Sequence, residues 1–250
     1  MKSWHITSII AVLCSMAISE EIIEGGEAGA IKWGFETDVC SRYVDQGIAW
    51  SSGAVAQPWL WVSGWNFTLS TWADVLLSGV DEGPAIDEVD LILDYEIEWK
   101  KFTVAPTLAI VSFPLEEEET FTFEGYLKLS YAYRFISAFT THSFDLATWA
   151  GAYYGNAGVA AAFDFTEKLS GELSTSFGWG SPSFNKVNWG QGPSWCADAI
   201  LVSASACWYL NENIYIAPHL SLNFTIDPEH RVIAGERQVL FGGAAAGVEF

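Results

Sequence analysis

The chain has 250 residues, half of them hydrophobic and 13 of them Trp, with only 17% charged and a formal net charge of −20. A chain so rich in aromatics and poor in charge has apolar surface to place somewhere other than water, while its acidic excess excludes nucleic acid and a basic grip on anionic lipid and favours cations as partners. The length fits one large all-β domain or two small ones; no Pro/Gly/Ser linker or shift in composition divides it, so we read one.

Residues 1–19 have the form of an export signal. Lys2 supplies a positive start, residues 6–18 form an apolar run too short to span a bilayer, and Ala17-Ile18-Ser19 offers small residues for cleavage before Glu20. Losing this segment removes Lys2 and no acid, which takes −20 to about −21. Residues 20–30 are acidic, contain Gly and lack periodicity, as expected of a flexible lead-in. The Cys residues that remain, Cys40, Cys196 and Cys207, are an odd set with no spacing of a metal site or a CxxC redox pair. They read as unreactive thiols, with one disulfide, such as Cys40 to Cys196, left open.

From residue 31 onward the pattern is alternation, the mark of strands whose successive side chains point to opposite faces. A first strand is expected over 31–43, where Ile31, Trp33, Phe35, Thr37 and Val39 oppose Lys32, Glu36 and Asp38. Strands over 57–62 and 65–75 follow, joined at Ser63-Gly64 as a hairpin signal. The longest alternation runs over 87–101: Val89, Leu91, Leu93, Tyr95, Ile97 and Trp99 on one side, Glu88, Asp90, Asp94, Glu96 and Glu98 on the other, Ile92 being the lapse. Further strands are expected over 102–113, 121–131, 136–146, 153–165, 169–179, 197–210, 214–226 and 239–250. Tight turns at 63–64, 100–101, 134, 166–168 and 211–213 alternate with longer loops. Among these are 180–195, rich in Gly, Pro, Ser, Asn and Trp, and 227–237.

About twelve strands with short and long connections in turn are the plan of a single up-and-down antiparallel transmembrane β-barrel over 31–250. A soluble barrel with an apolar interior meets a size problem, since about eight strands already enclose as much as side chains can fill; a two-sheet sandwich escapes that objection. Five acids of one strand facing lipid would each cost on the order of 1 to 3 kcal/mol near the midplane, so the acids are assigned to the lumen and the aliphatics to lipid. Aromatics near strand ends (Trp33, Trp65, Trp99, Trp179, Trp208) fit interfacial girdles. Pro106 and Pro218 lie inside expected strands, where each loses a ladder hydrogen bond, and are expected at bulges or rims.

The last strand ends Gly-Val-Glu-Phe, with Leu240, Ala244, Ala246, Val248 and Phe250 at alternate positions. This resembles the C-terminal signal of Gram-negative outer-membrane barrels, in which a terminal aromatic, here Phe250, is read by the assembly machinery. Ser41-Arg42-Tyr43-Val44-Asp45-Gln46-Gly47-Ile48, then Gln57-Pro58, Trp72 and Glu88-Val89-Asp90, is similar to the start of TorF-like porins. Gln46 stands where those proteins have Arg before the Gly-Ile pair. The resemblance covers most of the chain after residue 19 and implies an outer-membrane barrel of the bacterial cell, with a pore but no defined solute.

The candidate lumen residues are Glu88, Asp90, Asp94, Glu96, Glu98, Glu124, Lys128, Glu172 and His219. Like charges about 7 Å apart along one face need cationic partners, for which Lys32, Arg42, Lys128 and Arg134 are the candidates. His219, Ser221 and Asn223 share one strand face, and a base beside a hydroxyl is what acyl transfer uses. In outer-membrane phospholipases A, however, such a His-x-Ser pair faces lipid and continues Ser-Asn-Gly, whereas Leu222 follows Ser221. Glu116 to Glu119 with Asp81, Glu82 and Asp87 would form acidic outer loops beside lipopolysaccharide. The expected function is a passive, cation-favouring pore for small solutes or cations, with no catalytic residue, metal or cofactor. The alternatives are an outer-membrane lipid hydrolase and a structural barrel whose acidic loops bind a partner.

Overall fold

The computed structural model describes residues 30–79, 83–115, 120–190 and 194–250. The expected export signal, all of the lead-in except Ala30, and Asp81, Glu82 and Glu116 to Glu119 lie outside the described residues.

Alternating apolar sequence becomes antiparallel strand in almost every expected place. In chain order these are β1 (Lys32–Cys40), β2 (Val44–Asp45), β3 (Ile48–Ala49), β4 (Val55–Gly64), β5 (Phe67–Leu76), β6 (Ala85–Tyr95), β7 (Ile97–Trp99), β8 (Phe102–Phe113) and β9 (Thr120–Tyr133). Then come β10 (Ile136–Asp145), β11 (Tyr153–Thr166), β12 (Leu169–Gly180), β13 (Cys196–Tyr209), β14 (Ile214–Thr225) and β15 (Gln238–Glu249). Strands β6 and β7 are one arm interrupted at Glu96, β8 pairs with both, and β1 pairs with β15, so the sheet closes into a twelve-stranded barrel. Tight turns gather at one rim with residues 33 and 250, whose backbone N–H groups donate to each other's carbonyls at 3.0 and 2.8 Å. The connections 41–54, 146–152 and 226–237, with the described residues 77–79, 83–84, 114–115, 181–190 and 194–195, lie at the other rim.

The outer face carries the apolar rows. Leu91, Leu93, Leu108, Phe123, Val159, Leu173, Leu220 and Leu240 are all exposed, and aromatic pairs mark both rims. At the turn rim Trp33 stacks on Phe250 at 4.7 Å and Phe102 meets Tyr131 at 4.8 Å; towards the loop rim Phe144 meets Tyr153 at 4.9 Å and Tyr153 meets Trp195 at 5.5 Å. An apolar band between aromatic girdles is the lipid-facing pattern of such barrels.

Three local expectations are corrected. The turn between β4 and β5 is Trp65-Asn66, not Ser63-Gly64: Gly64 pairs with Phe67, and Trp65 and Asn66 hold φ of 52° and 66°, as a type I′ hairpin requires. Pro106 and Pro218 sit neither at bulges nor at rims. Each keeps regular register with one neighbour (Leu127, Ala244) and falls where the ladder to the other neighbour is interrupted. The β6–β8 ladder stops at Asp94↔Thr107 and β7 resumes at Ile97↔Val104; the β13–β14 ladder skips from Ser205↔His219 to Trp208↔Ile216. Pro58 does the same between β4 and β5. A missing N–H is tolerated where no partner strand asks for it. Lastly, the connections 180–195 and 227–237 contain helices α1 (Pro182–Trp189) and α2 (Pro228–Ala234), capped by Ser181 and Asp227 and ended by left-handed Gly190 and Gly235.

Candidate functional site

Strand alternation turns Glu88, Asp90, Ile92, Asp94 and Glu96 to the inner face, and Glu88 and Asp90 have no exposed surface. Most of the carboxylates inside take hydroxyl or amide donors. The Tyr43 hydroxyl donates to Glu88 at 3.5 Å, Thr107 to Asp94, Tyr126 to Glu124, Tyr215 to Glu36 at 2.6 Å and the Gln57 amide to Asp74 at 3.0 Å. Lys128, only 8% exposed, lies in the electrostatic reach of Glu96, Glu172 and Asp94. Arg42 does not join it. Its guanidinium pairs with Glu236 at 2.7 Å on the loop side, while Lys32 is exposed near the turn rim and Arg134 lies over Tyr133 in its turn. Glu98 is exposed at the turn rim.

The stretch that carries the TorF-like resemblance folds inwards. Residues 41–54 leave β1 and turn back as the β2–β3 hairpin, whose turn residues Gln46 and Gly47 hold φ of 48° and 82°. Asn223 of β14 donates its amide to the Gly47 carbonyl at 3.0 Å, and Val44 packs on Val239 and Phe241 of β15. Ile48 joins Val111, Phe113, Tyr126, Tyr154 and the α1 residues Phe184 and Trp189, with Ile92 and Trp50 against the cluster. Thus Ile92, the lapse in the acidic row, is an inner-wall contact for an apolar plug at the loop end. Tyr43 and Trp72, with rings 5.7 Å apart, extend the packing towards Cys40.

Below the plug, three residues meet in the lumen wall. His219 Nε2 lies 2.9 Å from Asp38 Oδ2 and 3.6 Å from Cys40 Sγ, and the thiol donates to Asp38 at 2.7 Å. His219 and Cys40 both stand opposite Gly243 of the intervening β15. A Cβ on Gly243 would come 2.2 Å from the Val39 carbonyl, so this crossing of three strands needs glycine. Ser221 does not face His219. Its hydroxyl pairs with Ser203 at 2.9 Å, and Asn223 holds the hairpin, so the His-Ser-Asn face contains no assembled nucleophile and base.

Two groups of three metal-ligating side chains occur among the described residues, Asp38 with Cys40 and His219, and Cys196 with Asp198 and His230. Neither was legible as a motif, because the Cys and His are 179 and 34 residues apart. The visible signal is the Asp-x-Cys and Cys-x-Asp spacing, which puts both side chains on one strand face. All three described cysteines are free.

No known family pattern matches the chain, and no curated protein does. Its fold is similar to that of a solved outer-membrane channel. An outer-membrane channel from Pseudomonas putida F1 superposes with a TM-score of 0.53 at 9% identity, covering 91% of this chain and all of the other. The KdgM porin, solved with disordered oligogalacturonate, gives 0.49 at 8% identity over 88% and 98% of the two chains; the NanC porin gives 0.46 at 11% over 88% and 99%.

Proposed function

We propose that the protein is a channel of the bacterial outer membrane, passing small cationic or polar solutes along the acidic inner wall and narrowed at its loop end by the β2–β3 hairpin. The observation that carries this is the sorting of charge: an apolar band outside, and inside it the partly exposed Asp94, Glu96 and Glu172 around Lys128, with Glu36, Asp74, Glu88, Asp90 and Glu124 buried in the same inner wall. Rings of acidic side chains favour cations in aqueous pores. Surrounding lipid and lipopolysaccharide, export to the outer membrane and assembly through Phe250 belong to the same reading. It also takes in the likeness of residues 41–48 to TorF-like porins, which falls on the hairpin itself. Against a lipid hydrolase stands the separation of Ser221, bonded to Ser203, from His219, bonded to Asp38.

Planar-bilayer recording of the refolded protein tests the proposal. Small conductance steps with a reversal potential favouring cations are expected. Replacing Asp94 with Asn and Glu96 with Gln should shift that potential towards zero while leaving assembly unchanged. Silence at every salt concentration would overturn the channel, and anion preference the role of the acidic wall.

A further inference from the structure

At the loop rim, away from the lumen acids, β13 begins with Cys196-Ala197-Asp198. The β12–β13 register passes from Gly178↔Ala199 to Trp179↔Ala197, so Asp198 is the extra residue of a β-bulge, a device that re-aims a side chain. Its carboxylate has no exposed surface and meets His230 of α2. There Oδ1 lies 2.9 Å from His230 Nδ1 and accepts from the Cys196 thiol at 3.0 Å, while Cys196 Sγ stands 3.9 Å from the His230 ring nitrogens. A tetrahedral zinc ion bound to S, N and O at their usual lengths holds those atoms about 3.3 to 3.6 Å apart. The three donors are already close to that spacing without an ion.

The surroundings are built to hold them. Asp227 caps α2 and accepts from the His230 backbone N–H at 3.1 Å, and the imidazole lies flat on Trp189 of α1, with ring centroids 4.3 Å apart and 10° between planes. Asn185 of α1 donates its amide to Cys196 Sγ at 3.0 Å, which fixes the sulfur in place. An independent observation points to a missing cation. Asp198 has no exposed surface, yet among the described residues its Oδ2 has no hydrogen-bond partner, and the Asn185 amide oxygen beside it has none either. Both oxygens lie against Gly180, where a Cβ would come within 2.6 and 2.4 Å of them, so only glycine leaves them their space. A buried carboxylate oxygen without a donor is costly unless something positive meets it.

We propose that Cys196, Asp198 and His230 form a transition-metal site of the zinc class that ties α2 to the start of β13 at the mouth of the barrel. Thiolate with imidazole selects a borderline-soft ion over calcium or magnesium. Binding of the divalent ion displaces the thiol proton of Cys196 to solvent and needs His230 neutral and Asp198 ionised. The protein supplies three ligands.

The lumen group Asp38, Cys40 and His219 offers the same donor types, so the experiment is done on the full chain carrying Cys40→Ser, refolded in detergent and freed of metal with chelator. Titration with cobalt(II) should give a thiolate-to-cobalt charge-transfer band saturating at one ion per chain, released by zinc. Adding Cys196→Ser should abolish the band, and His230→Gln should weaken affinity at least tenfold while keeping the thiol. Heat-modifiable migration on SDS gels shows which variants are folded, and if the Cys196 variant fails to fold, His230→Gln carries the test. No band in the Cys40→Ser protein, or a band indifferent to both further substitutions, overturns the site. A band seen in the unsubstituted chain but lost on Cys40→Ser alone would place the metal in the lumen instead and overturn it equally.

Discussion

Removing the ammonium of Lys128 would leave Asp94, Glu96 and Glu172 facing one another inside the barrel with their shared cation gone. Breaking a buried charge group by deleting one partner costs on the order of 3 kcal/mol, so Lys128→Met should lower the urea midpoint of unfolding measurably. If the acidic wall governs permeation, the same variant should raise cation preference, opposite in sign to neutralising Asp94 and Glu96. The inward placement of these residues was legible, because a period of two assigns faces without any knowledge of neighbours. Which cation serves which acid was not. Lys128 and Arg42 look alike as candidates in sequence, and only the path of the loop after β1 carries Arg42 out to Glu236.

At the scale of elements, the proposed channel makes the β2–β3 hairpin the part whose position decides whether the lumen conducts. Gly47 holds φ of 82°, and a Cβ there would come 2.7 Å from the Ala199 Cβ, so Gly47→Val is strained twice over. The expected outcome is a hairpin displaced from its seat and a larger single-channel conductance in the same bilayer recording, with the barrel still heat-modifiable. Unchanged conductance would mean that the hairpin does not narrow the passage. Helices α1 and α2 were hidden inside segments whose composition reads as loop, yet their ends were spelled out: Ser181-Pro182 to Gly190 and Asp227-Pro228 to Gly235 each give a cap, a first-turn proline and a terminating glycine. They are short enough that capping, not apolar periodicity, was the signal to weigh. The prolines teach the converse. Pro58, Pro106 and Pro218 argue against paired strands one residue at a time, but the closed sheet leaves a gap on one side of each.

For the whole molecule, the outward apolar rows commit the protein to lipid or detergent. Unheated samples should migrate differently from boiled ones on SDS gels, and the protein should fractionate with outer membranes; identical migration and a soluble fraction would refute the reading. Twelve strands could be counted because each barrel strand carries its own alternation, whereas the inward fold of residues 41–54 depends on contacts with β14 and β15 nearly two hundred positions away.

The pairing of β1 with β15 also makes the ring seamless. Trp33 and Phe250 touch at the turn rim, so the beginning and end of the barrel are neighbours in space and no strand next to them has a special place in the circle. A short linker joining residue 250 to residue 31, with new ends cut in the Arg134-Phe135 turn, would keep every ladder intact. Refolded in detergent, where the assembly role proposed for a terminal Phe250 does not enter, such a circular permutant should reach the same folded barrel although its chain starts from the opposite wall. The order in which strands emerge would then bear on how fast the barrel closes, not on what it becomes.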